Sequence, residues 1–546
     1  MRNVYTTFII AIIIAYSTPI LAQGTLSGNL QTRTNFYQRD TLIGASNTPQ
    51  YDNQLSGSDA WLDLNYSNWG TNFKIRFDLF NNSNLRNPQA SYSDQGIGFW
   101  QVRKKIQKLD MTVGYFYDQI GSGAAFRAYE ARLLAIDNAL MGVRLNYDLT
   151  DNITVKGFTG RQKNFFDLYN PIIKGLSIEG FFSKKVGGEE NGTNINISPG
   201  AGVVNRTIDD ESMNRIVSNI STYSPTDTFT PKFNNYAFTA YNTLTAGRFT
   251  WYVEGIYKTS EAIALLDGQL VNRPGNVLYT SLGYAQKGLG ITLQAKRTEN
   301  FQMRTSPNET LTRGLINFIP PMARQNTYRL NARYNAATQE LGELGFQADV
   351  LFKVNKKLSF LVNGSLINDL DGNLLYREVY TEATIKGPKR KWKLLTGVQL
   401  QSYNQDVYEQ KPGVPNVMTV IPYVDFLYKF NRKVALRTEL QYMQTEEDFG
   451  AFAFGLAELT FGKHWAITVV DMVTMNPSQY YQKVGRTVDN PDKPVHFYSA
   501  EVIYNNKANR IGLGYIRQVE GIVCTGGICR YEPAFSGVRL TAQTRF

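Results

Sequence analysis

Two histidines, two cysteines and a scatter of charges are the residues on which chemistry could rest in this 546-residue chain. Nucleophilic catalysis of the Ser-His-acid kind needs its members within hydrogen-bond reach. His464 lies in the turn Gly462-Lys463-His464-Trp465, and His496 opens a later strand on the face of Tyr498, Ala500 and Val502. Neither has an evident Ser or acid partner at a shared height, so both read as interfacial residues and no enzyme is expected. Cys524 and Cys529 face each other across Gly526-Gly527, which predicts a disulfide clipping a loop tip; a free or metal-bound thiol is the alternative. Asn368-Asp369-Leu370-Asp371-Gly372-Asn373 has its Gly too early for an EF-hand loop and no closing Glu, so a tight loop tip is the simpler account. Gly121-Ser122-Gly123-Ala124-Ala125-Phe126 starts like a dinucleotide fingerprint but has Phe where the third Gly belongs. No cofactor is expected.

The elements that carry these residues read as strands. The last thirteen residues alternate strictly: Val538, Leu540, Ala542, Thr544 and Phe546 point one way, and Arg539, Thr541, Gln543 and Arg545 the other. A period of two puts lipid-compatible groups on one face and polar groups on the other. Closing strands of outer-membrane barrels resemble this one, and their terminal aromatic, here Phe546, is the feature that insertion machinery recognises. The pattern recurs: Phe73, Ile75, Phe77 and Leu79 oppose Lys74, Arg76 and Asp78, and Tyr328, Leu330, Ala332 and Tyr334 oppose Arg329, Asn331 and Arg333. Phe346, Ala348, Val350 and Phe352 oppose Gln347, Asp349 and Lys353, and Val434, Leu436, Thr438 and Leu440 oppose Arg437, Glu439 and Gln441. The prediction is an all-β fold, a single large antiparallel transmembrane β-barrel of about 24–26 strands with 22 as the lower option. Short turns alternate with long loops, the latter near 38–58, 120–138, 203–234, 300–312 and 476–494. Trp392, Tyr428, Trp465, Tyr498 and Tyr504 are placed for interfacial girdles.

Arg2 followed by the apolar run Phe8–Ala15 and a small residue at Ala22 predicts a secretory signal peptide over 1–22, leaving 23–546 as the barrel. The composition, 42% hydrophobic and 13% aromatic with 45 glycines, suits strands that devote only alternate residues to lipid. Asp209-Asp210-Glu211 before Met213, Ile216, Val217 and Ile220 predicts a capped amphipathic helix inside a loop, folded either into the lumen or onto its own loop. Expected lumen-facing residues carry both signs, among them Arg76, Asp78, Arg329, Arg333, Asp349, Glu378, Glu382, Arg437, Glu439 and Glu501. A mixed lining argues for cross-strand ion pairs and weak charge selection, or for a lumen partly filled by loops. Much of the net charge of +11 sits in short turns such as Lys104-Lys105 and Lys389-Arg390-Lys391, solvated or facing lipid phosphates or an acidic partner. Nucleic acid is not expected.

Val113-Gly114-Tyr115-Phe116-Tyr117-Asp118-Gln119-Ile120-Gly121-Ser122-Gly123, with Arg127–Arg132, Ile136–Arg144, Leu315–Pro320 and Gly345–Val350, resembles a family of uncharacterised bacteroidete-type outer-membrane barrels. The resemblance implies fold and location, in the outer membrane of a Gram-negative bacterium, and brings no established activity. The strand-then-loop design is also loosely similar to porins whose outside loop folds inward, including alginate-export barrels. On that likeness Arg127, Tyr129, Glu130, Arg132, Asp137 and Asn138 would form a polar constriction; pairing of Arg127 or Arg132 with Glu130 or Asp137 would instead pin the loop. Two functions are expected to compete. One is a passive porin-like channel for polar solutes with a loop-constricted lumen; the other is a non-conducting barrel subunit of an outer-membrane assembly or secretion complex with periplasmic partners.

Overall fold

The computed structural model describes residues 24–187, 192–310, 312–525 and 528–546; the expected signal peptide, 1–22, lies outside them. Twenty-four antiparallel strands close into one barrel, within the 24–26 expected and above 22. The first strand, Thr25–Tyr37, pairs on one side with Ser56–Asn68 and on the other with the last, Phe535–Arg545, so no edge is left unpaired. Gly28 exchanges backbone hydrogen bonds with Phe546 at 2.7 and 3.1 Å. A Cβ on Gly28 would sit 2.3 Å from the Phe546 ring, so glycine there makes room for the terminal aromatic.

Side-chain alternation sorts as the sequence predicts. Phe73, Phe77, Phe346, Phe352 and Leu440 are exposed outside, while Arg76 and Asp78 are buried inside. Among the described residues no helix is long and apolar enough to cross a membrane, and the exposed apolar belt belongs to the strands. Trp465 lies opposite Tyr504 with ring centroids 4.7 Å apart, and Trp392 lies opposite Tyr428, both at the rim of short turns where the first strand begins and the last one ends. Tyr498 stacks with Tyr515 at the rim of long loops.

The lumen differs between its two halves. Along Val417–Lys429 the inward Val417, Thr419, Ile421, Tyr423 and Asp425 are buried, whereas Leu427 is half-buried and Lys429 exposed towards the short-turn rim. Trp392–Tyr403 repeats this, with Gln399, Gln401 and Tyr403 buried and Lys393 and Leu395 half-buried. The long-loop half is therefore packed, and the short-turn half is an open vestibule.

The packing material is the connection between Leu289–Glu299 and Gly342–Lys353. It was expected to end near 312 and to be followed by a strand over 328–334. Instead the described residues of 301–341 contain no barrel strand and fold into the lumen, burying Phe301, Met303, Ile316, Met322, Leu330 and Tyr334. Pro320-Pro321 removes two ladder donors, and Ala332 N–H bonds Tyr328 O at 2.9 Å, a helical turn incompatible with an extended strand. Arg329 and Arg333 thus stand on an inserted segment and not on the barrel wall. The loop helix forms as expected over Asp210–Ile220, with the Asp209 side chain accepting from Ser212 N–H at 3.2 Å. Met213, Ile216 and Ile220 pack on Ile208, Ala262 and Leu270 at the rim, outside the two clusters that fill the lumen.

Candidate functional site

The loop 117–139 leaves Leu109–Phe116 and returns into its ladder neighbour Leu140–Asp148, so its two ends are held side by side. Between them it bends inward as two short ladders, Asp118–Ile120 with Phe126–Ala128 and Glu130–Ala131 with Ile136–Asp137. Gly121 adopts φ +56°, and a Cβ there would lie 2.3 Å from Glu254 Oε1. Glycine is required on both counts. The approach lets Ser122 N–H donate to the Glu254 carboxylate at 3.2 Å. Glu254, fully buried on the wall, also accepts from Thr239 and Tyr252 hydroxyls, each at 2.9 Å.

Ion pairs hold the far side of the loop. Arg76 grips Asp78 on its own strand at 2.7 and 2.9 Å, and reaches Glu130 and Asp137 of the loop at 2.6 Å each. Lys163 pairs with Asp137 at 2.8 Å, and the Tyr117 hydroxyl donates to the same carboxylate at 2.8 Å. Arg132 pairs with Glu130 at 2.7 Å and with the wall residue Asp63 at 2.9 Å. Burial pushes the Asp137 carboxyl up, but Lys163 and Arg76 outweigh it and hold it down at about 2. Arg76 is 1% exposed, so these are desolvated charges whose partners satisfy one another. The arrangement pins a loop, and a ligand would have to displace carboxylates to use its cations.

Arg127, Tyr129 and Asn138 do not join that network. The Arg127 guanidinium lies over the rings of both Tyr129 and Phe318, 4.7 and 4.4 Å from their centroids. Asn138 donates to Leu315 O at 3.0 Å, Asn317 donates to Ala124 O at 2.9 Å, and Phe318 N–H donates to Gly123 O at 2.9 Å. The loop 117–139 and the segment 301–341 are thereby one body inside the barrel.

Other expected lumen residues hold 301–341 to the wall. Buried Glu378 accepts from Gln399 at 2.7 Å and from Asn326 at 3.1 Å. Asp349, half-exposed, lies 3.7 Å from Arg324. Arg333 and the Tyr334 hydroxyl approach Asp448 at 4.0 and 2.9 Å, and Lys483 reaches it at 3.1 Å. Burial raises the Asp448 carboxyl, and Arg333, Lys411 and Lys483 bring it below the usual carboxylate value. Arg329 makes no ion pair within 4.0 Å among the described residues. Nearer the vestibule, Arg437 pairs with Asp425 at 3.1 Å and with Glu439, while Glu382 accepts from Tyr380 at 2.9 Å. Glu501 is half-buried on the inward face of His496–Asn506.

Sequence reasoning missed Lys163, Tyr117 and the fully buried pair Lys296–Glu343 at 2.5 Å. Alternation misplaces Lys163 because the ladder shifts register between Arg161 and Lys163, which buries Gln162 and Lys163 in succession. A lysine and a glutamate flanking one long loop were the available signal for Lys296 and Glu343. Above the pinned loop opens a cavity of about 690 Å³ lined by Trp61, Arg86, Arg132, Phe165, Tyr169 and Arg313 among others.

His496 does have an acid partner, contrary to expectation: its Nδ1 lies 2.7 Å from Asp471 Oδ2 on the barrel exterior, because the diagonal neighbour across the ladder brings the two together. His464 Nδ1 contacts Asn505 O at 2.7 Å, and its ring lies tilted beside Tyr504 with centroids 5.7 Å apart. Cys524 and Cys529 are register partners in the hairpin Gly521–Thr525/Ile528–Glu532, while their side chains lie outside the described residues, so the disulfide remains an expectation. Asp369 Oδ1 accepts from the Asp371 and Asn373 N–H groups at 3.0 and 2.8 Å, the geometry of a closed loop tip.

No curated protein matches the chain. Among solved structures it is similar to the P pilus usher (PapC) translocation pore, at 8% identity and TM-score 0.44, covering 95% of this chain and 99% of that one. It is also similar to the siderophore receptor PirA from Pseudomonas aeruginosa, at 9% identity and TM-score 0.38 over 96% and 81% of the two chains. The copper transporter OprC aligns at 8% identity and TM-score 0.37 over 97% and 81%. At these scores the likenesses carry no argument about activity. The family model covers residues 1–546 in full, and the chain belongs to DUF6029, a family of unknown function.

Proposed function

We propose that this protein is an outer-membrane barrel of a Gram-negative bacterium whose passage is closed by its own loops, acting as a non-conducting subunit of an envelope assembly. The observation that carries the reading is the segment 301–341, packed with 117–139 into one half of the lumen and tied to the wall by Arg76, Lys163, Arg132, Asn326 and Arg333. An open porin needs a continuous aqueous path. Buried Phe116, Phe126, Phe301 and Ile316 fill that path instead. Short turns would face the periplasm and long loops the exterior, with outer-membrane lipids around the belt and the β-barrel insertion machinery acting on the closing strand.

A passive channel for polar solutes is the second reading. It is favoured by the half-open polar vestibule and by the cavity above the loop, which would join if the insert moved. Planar-bilayer conductance of the refolded barrel separates the two, measured before and after replacing 303–338 by a short Gly-Ser link. Asn300 and Leu341 already close the hairpin stem at 2.9 Å, so the excision leaves the wall intact. A silent parent and a steadily conducting excised variant are expected. Steady conductance by the parent would overturn the closed reading in favour of the loop-constricted channel.

A further inference from the structure

At the short-turn rim, the turns after Leu374–Lys386, Val417–Lys429 and Phe452–Phe461 enclose a concavity of about 590 Å³. It is lined by Lys389, Arg390, Lys391, Lys429, Arg432 and Lys433, and no Asp or Glu contributes to its lining. None of the six has a carboxylate within 4.0 Å among the described residues. This is not the general state of short turns here. Around 107–108, Arg103 pairs with Asp110 at 2.5 Å and Lys105 with Asp148 at 3.3 Å.

The turn after Leu374–Lys386 shares the left-handed backbone of other short turns, such as those at Trp69, Gln107 and Lys507. Lys389 and Arg390 take φ +51° and +57° in succession, a left-handed conformation that glycine or asparagine adopts with less strain. The concavity spans the rim: Lys429 faces Ala435 across the ladder and Ala435 faces Thr460 on the lumen side, while Phe430 and Val434, which also line it, lie on the outward side. Its lumen-side part, with Lys429, opens to the aqueous compartment beyond the short turns, from which an extended segment can enter. Its size admits a stretch of side chains and excludes a folded domain.

We propose that this concavity docks an extended acidic segment of a protein partner at the vestibule mouth. The proposal rests on the assembly-subunit reading and names the chemistry of the partner. Lys391 lies 5.4 Å from the Tyr428 ring centroid, and the cations of this concave patch, without carboxylate partners, attract carboxylates over roughly a Debye length, about 8–10 Å in physiological salt.

The test uses the full barrel in phosphatidylcholine nanodiscs and a fluorescent oligoglutamate peptide, read by anisotropy. Saturable binding that weakens with salt is expected. K389Q/R390Q/K391Q should weaken it on the order of tenfold, while K104Q/K105Q/K108Q, at a turn whose charges are partly paired, should leave it within about twofold. A heat-modifiable gel shift confirms that each variant is folded. Absence of saturable binding by the parent, or equal loss in both triple variants, would overturn the proposal. So would displacement of the peptide by phosphatidylglycerol vesicles, which would assign the patch to lipid headgroups. Parent conductance reports separately on the closed lumen, so the two readings can fail independently.

Discussion

Arg76 shows how a single side chain connects wall and insert. Its guanidinium satisfies Asp78 on its own strand and both Glu130 and Asp137 on the loop, at 1% exposure. Removing one partner of a buried charge cluster leaves the others uncompensated, which costs about 3–5 kcal/mol. Arg76→Met should therefore release loop 117–139 while the barrel stays closed by its strands. Limited trypsin digestion is expected to cut after Arg127 and Arg132 in the variant and to spare them in the parent. Equal resistance of both would show that contacts with 301–341 alone hold the loop. The charges at 76 and 78 were legible from alternation, and their partners on the loop were legible as candidates. Which of them pair was not, since Arg127 and Arg132 look equivalent in sequence and only one faces Asp63.

Strands were the easiest elements to read, because a wall with lipid on one side and polar groups on the other imposes a period of two. The same period misled at 328–334, where apolar Leu330 and Tyr334 point into packed lumen and the backbone turns. Alternation reports two unlike environments, and an inserted segment lying between wall and core has two as well. The hairpin Gly521–Thr525/Ile528–Glu532 carries the remaining element-scale expectation. Cys524 and Cys529 are direct partners across an antiparallel ladder, where Cα separations of roughly 4.5–5.5 Å fall inside the range a disulfide spans. Maleimide labelling of folded, unreduced protein should modify neither cysteine, and both should react after reductant. Full labelling without reductant would exclude the bond.

Closure is a property of the whole molecule, because the first and last strands must find each other across the length of the chain. Phe546 lies over Gly28 at that seam and is 64% exposed to the outside. Its contribution is expected in assembly more than in the finished barrel. Phe546→Ala should lower the yield of the heat-modifiable folded form several-fold in cells, while molecules that fold keep the parental melting point of the gel shift. A normal yield would show that the alternating strand Phe535–Arg545 is sufficient without its aromatic end.

The residue pattern alone was enough for a barrel of about this strand number, the facing of strand residues away from bulges such as that at Arg161–Lys163, and the capped helix at 210–220, because each follows from local periodicity and capping chemistry. Tertiary structure decided what fills the lumen. The segment 301–341 could be read as loop and strand because nothing local distinguishes an apolar residue facing lipid from one facing a packed interior. Burial against Phe116, Phe126 and Tyr423 across the barrel, and charges paired over long sequence separations, made that distinction.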